Sequence, residues 1–263
     1  MTPEDLLAEL PIVAILRGVT PARILDVAAA LYGAGIRAIE VPLNSPRPFE
    51  SIELLAREFS GRCLTGAGTV LRVDDVDRVA GAGGTLVVTP NTDPAVIARG
   101  VEKSMTVMPG FYTPSEALAA LAAGARMLKL FPAATGGTAH LKAVQAVLPG
   151  GLPVYAVGGV GAANMGEWRK AGAAGFGLGS ELFKPEFSDG EIAARAARRA
   201  REQRNVAPGR IARLRRIAEP ALRRIGRGVD LQPRCGERPP GRADADRPAE
   251  KIGRAQPGGR AEI

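Results

Sequence analysis

Residues 154–182, VYAVGGVGAANMGEWRKAGAAGFGLGSEL, hold the pattern that decides the fold. Two short apolar runs, Val154–Val160 and Gly175–Leu182, flank an Ala-rich segment of helical period that ends on Gly172. A glycine directly after such a segment is typical of a helix C-terminus. The stretch therefore predicts a strand, a helix and a second strand parallel to the first.

The same pattern recurs through the first 204 residues, where successive apolar runs begin 20 to 27 residues apart. Helical segments are predicted between them, for example at Pro21–Tyr32, Ser115–Ala123 and Ala139–Val147, with Gly33 and Gly124 as further helix ends. Eight such units predict a closed (β/α)8 TIM barrel. The alternative is an open Rossmann-like sheet, but GxGxxG does not follow the first strand. The six other predicted strands are Ile12–Gly18, Ala38–Leu43, Leu64–Val70, Leu86–Asn91, Thr106–Gly110 and Met127–Pro132.

The formal charge of +8 is concentrated at the C-terminus. From Asn205 onward, 14 Lys/Arg face 7 Asp/Glu, whereas the preceding residues carry 21 against 20. We therefore predict a single barrel domain over 1–204, with a short N-terminal helix, and an Arg/Pro/Gly-rich tail over 205–263 that is largely disordered. Three interpretations of the tail stay open: an extension without function, such as a shifted reading frame, a basic arm for polyanions, or a subunit contact. Nucleic-acid binding by the barrel is not expected.

Other features of the sequence exclude several classes of protein. No apolar stretch of about 18 residues is present, and the start MTPEDLLAEL lacks the basic character of a signal peptide. We therefore expect a cytoplasmic protein without a membrane span. Cys63 and Cys235 lie far apart and suggest neither a disulfide framework nor a metal site. No metal and no cofactor are predicted.

Polar residues interrupt the apolar runs near their C-terminal ends, where barrels of this class place their chemistry. A charged group in such a setting is costly unless it is paired, so several charges that converge on one mouth call for an explanation. The residues are Arg17, Glu40, Thr69, Asn91, Lys129, Gly158, Gly159, Gly179 and Ser180.

Lys129 is the strongest candidate for a nucleophile. It lies between Leu128 and Leu130, and burial together with a nearby cation such as Arg17 would lower the pKa of its amine. A neutral amine attacks a ketone and forms a Schiff base. The alternative is a strand-end lysine paired with a carboxylate. His140 is the only histidine of the chain, so other nucleophilic arrangements have few candidates.

The remaining polar residues suit proton transfer and anion binding. Glu40 in an apolar setting would have a raised pKa and could transfer protons, or it could be a salt-bridge partner of Lys129 or Arg17. Arg17 and Thr69 offer donors for a carboxylate, although the GAGT segment could also be only a tight strand end. The glycines that close the last two strands stand where barrels commonly hold a phosphate, on backbone N–H groups and the start of a short helix.

Taken together and in order, the motifs AILRG, IEVPLNSP, GAGTV, VTPN, MPGFYTPSE, LKLFP, AVGGV and GLGS resemble the 2-keto-3-deoxy-6-phosphogluconate/6-phosphogalactonate aldolase family over residues 5–204. Arg17 in AILRG and the segment 44–46 (NSP) are similar to the 6-phosphogalactonate branch. The 6-phosphogluconate branch tends to carry an arginine a few residues after the glutamate, and Asn44 stands in that region here.

The resemblance implies a class I (Schiff-base) aldolase, a lyase that reversibly cleaves 2-dehydro-3-deoxy-6-phosphogalactonate to pyruvate and D-glyceraldehyde 3-phosphate in galactonate catabolism. It implies that Lys129 forms the imine and Glu40 shuttles protons. It also implies a metal-free homotrimer. The implied substrate contacts are Arg17 and Thr69 for the carboxylate, Gly158, Gly159, Gly179 and Ser180 for the phosphate, and Pro90 and Phe131 for the pocket wall.

Alternative functions remain open at this point. The enzyme could prefer the 6-phosphogluconate epimer of the Entner–Doudoroff pathway, or accept both substrates, because they differ only at C4. A phosphate-binding barrel isomerase or epimerase would not need a lysine on the sixth strand. A non-catalytic barrel could bind phosphorylated ligands without turning them over. The tail alone could bind nucleic acid.

Overall fold

The computed structural model describes residues 2–205, and its strands form one parallel sheet that curves into a barrel. Hydrogen-bonded neighbours follow the order β5-β4-β3-β2-β1-β9-β8-β7-β6, and every pairing is parallel. The strands are β1 (Ile12–Ile15), β2 (Ala38–Pro42), β3 (Leu64–Gly68), β4 (Leu86–Val88), β5 (Thr106–Met108), β6 (Gly110–Phe111), β7 (Leu128–Leu130), β8 (Val154–Val157) and β9 (Gly175–Leu178).

The barrel closes through Pro109, which separates β5 from β6. The Met108 carbonyl accepts from the Thr89 amide at 3.3 Å, and the Pro109 carbonyl accepts from the Lys129 amide at 2.9 Å. Because proline has no N–H, it interrupts the ladder of backbone hydrogen bonds, but the chain continues in the same direction along the barrel. Residues 106–111 therefore occupy one strand position, and the predicted eight-stranded barrel is confirmed.

Helices alternate with the strands, and several begin at residues that favour helix starts. Thr2 and Thr113 each form a capping box, and Asp93 accepts from the Ala95 and Val96 amides. The predicted N-terminal helix is present as α1. The helices are α1 (Pro3–Glu9), α2 (Ile24–Gly33), α3 (Pro48–Glu58), α4 (Val73–Gly81), α5 (Pro94–Glu102), α6 (Pro114–Ala122), α7 (Ala133–Gln145), α8 (Met165–Ala171) and α9 (Asp189–Asn205).

The apolar core has an outer and an inner part. The outer part fills the space between the strands and the surrounding helices. In the inner part, Leu6 and Leu7 of α1 pack with side chains from the early positions of the strands, including Val13, Ala38 and Leu64. Helix α1 thus closes the end of the barrel where the strands begin. The opposite end, beyond the strand C-termini, is left for a ligand.

The structure corrects several predicted boundaries. The strands end earlier than predicted, so Arg17, Thr69 and Asn91 lie in the segments that follow β1, β3 and β4.

Two helix boundaries also differ from the prediction. Gly33 is the last residue of α2, and the left-handed glycine that follows the helix is Gly35 (φ 97°). Helix α7 begins at Ala133, before the predicted Ala139, because a helical turn precedes a break at Gly137 (φ 70°).

The short helix that barrels of this class often place after the last strand is not found there among the described residues. Residues 179–183 form a turn in which the Gly179 carbonyl accepts from the Leu182 and Phe183 amides. Pro185 disfavours helical geometry at Lys184, so the turn does not continue as a helix.

The predicted tail lies outside the described residues, apart from Asn205 at the end of α9. The boundary at Arg204 and the disorder of the tail therefore stay predictions. Within residues 2–205, no helix is long and apolar enough to cross a membrane.

Candidate active site

Among the residues that the structure describes, Lys129 and Glu40 are the two charged side chains buried inside the barrel. Lys129 lies in the middle of β7, where its backbone is in register with Gly110 of β6 and Tyr155 of β8. Glu40 lies in the middle of β2, in register with Ile15 of β1. Lys129 is 6% exposed and Glu40 is 2% exposed. Strand alternation within the closed barrel gives both side chains their place in its interior.

Glycines of β3 provide the space that Glu40 occupies. A Cβ atom on Gly68 would overlap the Glu40 carboxylate, and one on Gly66 would overlap the Leu86 backbone of β4. Neither glycine has the left-handed backbone that would itself require a glycine. The GAG segment is therefore small because of close packing, and Gly68 specifically makes room for a buried acid.

The pKa values of the two groups move toward each other. Burial raises the pKa of the Glu40 carboxyl to about 7, although the positive charges of Lys129 and Arg17 oppose the shift. Burial also lowers the pKa of the Lys129 amine, helped by Arg17 and opposed by the Glu40 carboxylate. The pKa of each group is therefore shifted from its usual value toward neutral pH. Such a shift suits proton transfer by Glu40 and nucleophilic attack by Lys129.

No hydrogen bond or ion pair joins Glu40 to Lys129 within residues 2–205, and Glu40 Oε2 is buried without a hydrogen-bond partner there. The salt-bridge interpretation of Glu40 is therefore not what the structure contains. The two groups interact through their charges across the interior. The Lys129 ammonium also lies 4.8 Å from the centroid of the Phe131 ring, two residues along the chain.

Arg17, Asn44 and Thr69 form a polar group at the mouth of the barrel. Arg17 Nη1 donates to Asn44 Oδ1 at 2.6 Å, and Nη2 donates to Thr69 Oγ1 at 3.5 Å. Thr69 has a left-handed backbone (φ 57°), which is unusual for a β-branched residue. Arg17 and Thr69 thus come together as predicted. Asn44 is an additional partner that sequence reasoning treated only as a branch marker.

A cavity of about 540 Å³ opens beside this group, between the ends of β8 and β9. Six predicted site residues line it: Arg17, Phe131, Gly158, Gly159, Gly179 and Ser180. The lining residues that were not predicted include Gly161, Asn164, Glu181 and Arg199. Ser180 and Glu181 are neighbours in sequence, whereas Arg199 comes from helix α9.

The loop after β8 has the form of an anion site. Gly158 (φ 91°) and Gly159 (φ 73°) both have left-handed backbones, so glycine is required there. Asn164 braces the loop, since its Nδ2 donates to the Gly159 carbonyl at 2.9 Å and its Oδ1 accepts from the Gly161 amide at 2.9 Å. Within residues 2–205, the amides of Gly159 and Ser180 donate to no protein acceptor. Such amides are ready to bind a phosphate.

The remaining predicted residues lie outside the cavity lining. Lys129, Glu40 and Thr69 do not line the cavity. Arg17 and Phe131 do line it, and they contact Thr69 and Lys129, respectively. Pro90 is placed against the site indirectly: a Cβ on Gly110 would overlap the Pro90 carbonyl group, and Gly110 is in register with Lys129. Asn91 accepts from the Thr89 hydroxyl through its backbone carbonyl.

Fold and site together define a (β/α)8 barrel with a buried lysine–glutamate pair, beside a glycine-lined anion cavity at the strand C-termini. Residues 4–196 match the family described as "Aldolase: KDPG and KHG aldolase". The chain belongs to this family, and it is an aldolase by class.

Individual relatives agree with this assignment. A protein of Rhizobium meliloti (strain 1021), named "Probable 2-dehydro-3-deoxy-6-phosphogalactonate aldolase", is 50% identical over 188 residues, which cover 72% of this chain and 89% of the relative. The "2-dehydro-3-deoxy-6-phosphogalactonate aldolase" of Escherichia coli (strain K12) is 46% identical over 189 residues, covering 72% and 92%. A solved structure titled "Native KDPGal structure" superposes with a TM-score of 0.74 at 45% identity, covering 75% of this chain and 96% of that one.

The packing of Glu40 against Gly68 leads to a prediction. We expect Gly68→Ala to lower kcat about 10- to 100-fold, because the new methyl group must displace the Glu40 carboxylate, and a shift of about 1 Å at a catalytic group costs on that order. Steady-state cleavage kinetics check this. Gly81→Ala at the end of α4 is the matched control, since a Cβ there meets nothing within 4 Å. Wild-type kcat in folded Gly68→Ala would show that the position of Glu40 does not limit turnover.

Proposed function

We propose that this chain catalyses the reversible retro-aldol cleavage of 2-dehydro-3-deoxy-6-phosphogalactonate to pyruvate and D-glyceraldehyde 3-phosphate, in galactonate catabolism in the cytoplasm. The observation that carries the proposal is the Lys129 amine, buried in the barrel with a lowered pKa beside a buried carboxyl group whose pKa is about 7. The names of the two relatives at 50% and 46% identity support the substrate.

Lys129 is the covalent nucleophile in this proposal. Its neutral amine attacks the C2 ketone, water leaves, and a protonated imine forms. Burial favours the neutral amine, because it lowers the pKa of Lys129. The imine then accepts the electron pair of the C3–C4 bond as that bond breaks, which gives an enamine of pyruvate.

Glu40 moves the protons of the reaction. Its carboxylate takes the proton of the C4 hydroxyl while the C3–C4 bond breaks, and D-glyceraldehyde 3-phosphate leaves. The resulting carboxylic acid then protonates C3 of the enamine, after which water hydrolyses the imine and releases pyruvate. A group with a pKa of about 7 serves in both directions near neutral pH.

The two ends of the substrate carry negative charges that the site matches. Arg17 and Thr69, joined by a hydrogen bond at 3.5 Å, would bind the C1 carboxylate. The glycines at 158, 159 and 179 together with Ser180 line the cavity that would hold the phosphate. Phe131 and Pro90 would line the pocket. None of these steps uses a metal or a cofactor.

Borohydride trapping tests the proposal directly. The folded protein is incubated with pyruvate and sodium borohydride, digested and analysed by peptide mass spectrometry. We expect a reduced pyruvate adduct on Lys129 and none on the exposed Lys142, which serves as an internal control. No adduct, or an adduct only on another lysine, would overturn the assignment. Comparing kcat/KM for the two C4 epimers then decides between the galactonate series, the gluconate series and dual use.

We also propose that the protein works as a homotrimer. Several apolar side chains lie exposed on the described part of the barrel, among them Leu71, Leu118 and Val147, which are 53%, 49% and 58% exposed. Burying such side chains between subunits would stabilise an oligomer.

A further inference from the structure

Glu181 and Arg199 form an ion pair at the rim of the phosphate cavity. Arg199 Nη2 lies 2.5 Å from Glu181 Oε2, and Nη1 lies 3.0 Å from Glu202 Oε2. The Arg199 side chain is only 7% exposed, whereas that of Glu181 is 39% exposed. Both Arg199 and Glu181 line the cavity. The long side chain of Arg199 thus reaches from helix α9 to the phosphate-binding loops.

The carboxylate of Glu181 stands where a negative charge opposes the proposed ligand. It follows Ser180 directly, and it packs against the loop after β8, since a Cβ on Gly161 would lie 2.9 Å from Glu181 Oε2. A phosphate monoester carries a charge between −1.5 and −2 at neutral pH. An uncompensated carboxylate in the same cavity would repel it.

Arg199 acts through Glu181 because both terminal guanidinium nitrogens, Nη1 and Nη2, are already engaged. Nη2 bonds to Glu181 and Nη1 bonds to Glu202, which leaves Nε as the one nitrogen of the group without an acceptor among residues 2–205. The geometry holds the Glu181 carboxylate toward the helix and against Gly161. The positive charge of Arg199 also weakens the negative potential that Glu181 creates at the loop amides.

We propose that Arg199 is a positioning residue for phosphate recognition, which neutralises Glu181 and holds its carboxylate away from the phosphate subsite. This role rests on the proposed function, because it assigns the cavity to the substrate phosphate. It makes helix α9, which follows the last strand, part of the specificity of the site.

A double-mutant cycle tests the role. We expect Arg199→Met to raise KM for the phosphorylated substrate about tenfold with kcat within about twofold, because Glu181 is then an unpaired like charge beside the ligand. Glu181→Gln should not raise KM. The double variant Glu181→Gln/Arg199→Met should restore KM to near the wild-type value, since both charges are then absent. The KM defect of Arg199→Met should also shrink at high salt.

A structural role for Arg199 would give a different pattern. A KM that stays high in the double variant, or a defect that does not respond to salt, would overturn the proposal. Arg199→Lys keeps the charge and should raise KM less than about threefold; a rise as large as that of Arg199→Met would also count against charge neutralisation. Should Arg199→Met fail to fold, Arg199→Gln removes the same charge and should raise KM to the same extent, and Glu181→Gln/Arg199→Gln should reverse that rise; a KM of Arg199→Gln equal to that of the wild type would overturn the proposal.

The outcome is separable from that of the proposed function. Pyruvate trapping on Lys129 does not involve the phosphate cavity and should be equal in all variants. Should the wild type fail to cleave the phosphorylated substrate, the proposed function fails. Calorimetric titration with inorganic phosphate still tests the pair, with weaker binding expected for Arg199→Met alone and none of that loss in the double variant.

Discussion

Lys129→Met should abolish aldol cleavage, with kcat reduced on the order of 10⁵-fold or more, as expected when a covalent nucleophile is removed. Methionine keeps an unbranched stem of similar length among the apolar neighbours, so the packing of β7 is disturbed little. What is lost is the amine proposed to form the imine, and no other lysine lies within the described barrel interior. Single-turnover cleavage assays measure the loss.

Two controls make this result specific. Lys142→Met, on the exposed side of α7, should leave kcat and KM unchanged. Thermal unfolding should show that Lys129→Met is folded, although the Glu40 carboxyl then loses the positive charge that most lowers its pKa. Substantial cleavage by folded Lys129→Met would exclude an imine on Lys129 from the mechanism. Unchanged cleavage by Lys129→Met would also show that Glu40 has no catalytic role that depends on Lys129.

The barrel and its central pair were predictable from sequence because both follow from short-range patterns. Apolar runs at regular intervals define the strands, and a charge between two leucines, as at Lys129, is conspicuous in such a run. The closed barrel brings separate strands around one interior. Glu40 and Lys129 therefore share that interior although their positions differ by 89 in the sequence.

Contacts made by loops and by the last helix were not predictable in the same way. The hydrogen bond between Arg17 and Asn44 depends on where β1 ends, and strand ends are poorly marked by apolar patterning. Arg199 reaches the cavity only because α9 packs with its buried stripe inward. That stripe, Ile192, Ala196 and Arg199, did offer a signal, since an arginine at helical spacing on an apolar face calls for a partner.

Glu40→Gln should lower kcat about 10²- to 10⁴-fold, the usual contribution of a positioned acid–base group. Glutamine fits the space beside Gly68 and keeps the polar end, but it neither accepts nor returns the proton of the C4 hydroxyl. Because the amide also removes the negative charge that raises the pKa of Lys129, the amine of this variant should be at least as neutral as in the wild type. A loss of activity therefore reports proton transfer and not a failure to form the imine. Borohydride trapping with pyruvate should still modify Lys129 in this variant.

The pH dependence carries the argument one step further. In the cleavage direction, Glu40 must be ionised to accept the proton, and burial raises its pKa to about 7. The carboxylate is therefore present above pH 7 and lost as the pH falls, so kcat/KM of the wild type should decrease about tenfold per unit well below pH 7. Glu40→Gln should lack this acidic limb, and Glu50→Gln on the exposed surface of α3 should retain it. An acidic limb that persists unchanged in Glu40→Gln would assign the titration to another group, and Glu40 would then be a structural neighbour of Lys129 and not its proton carrier.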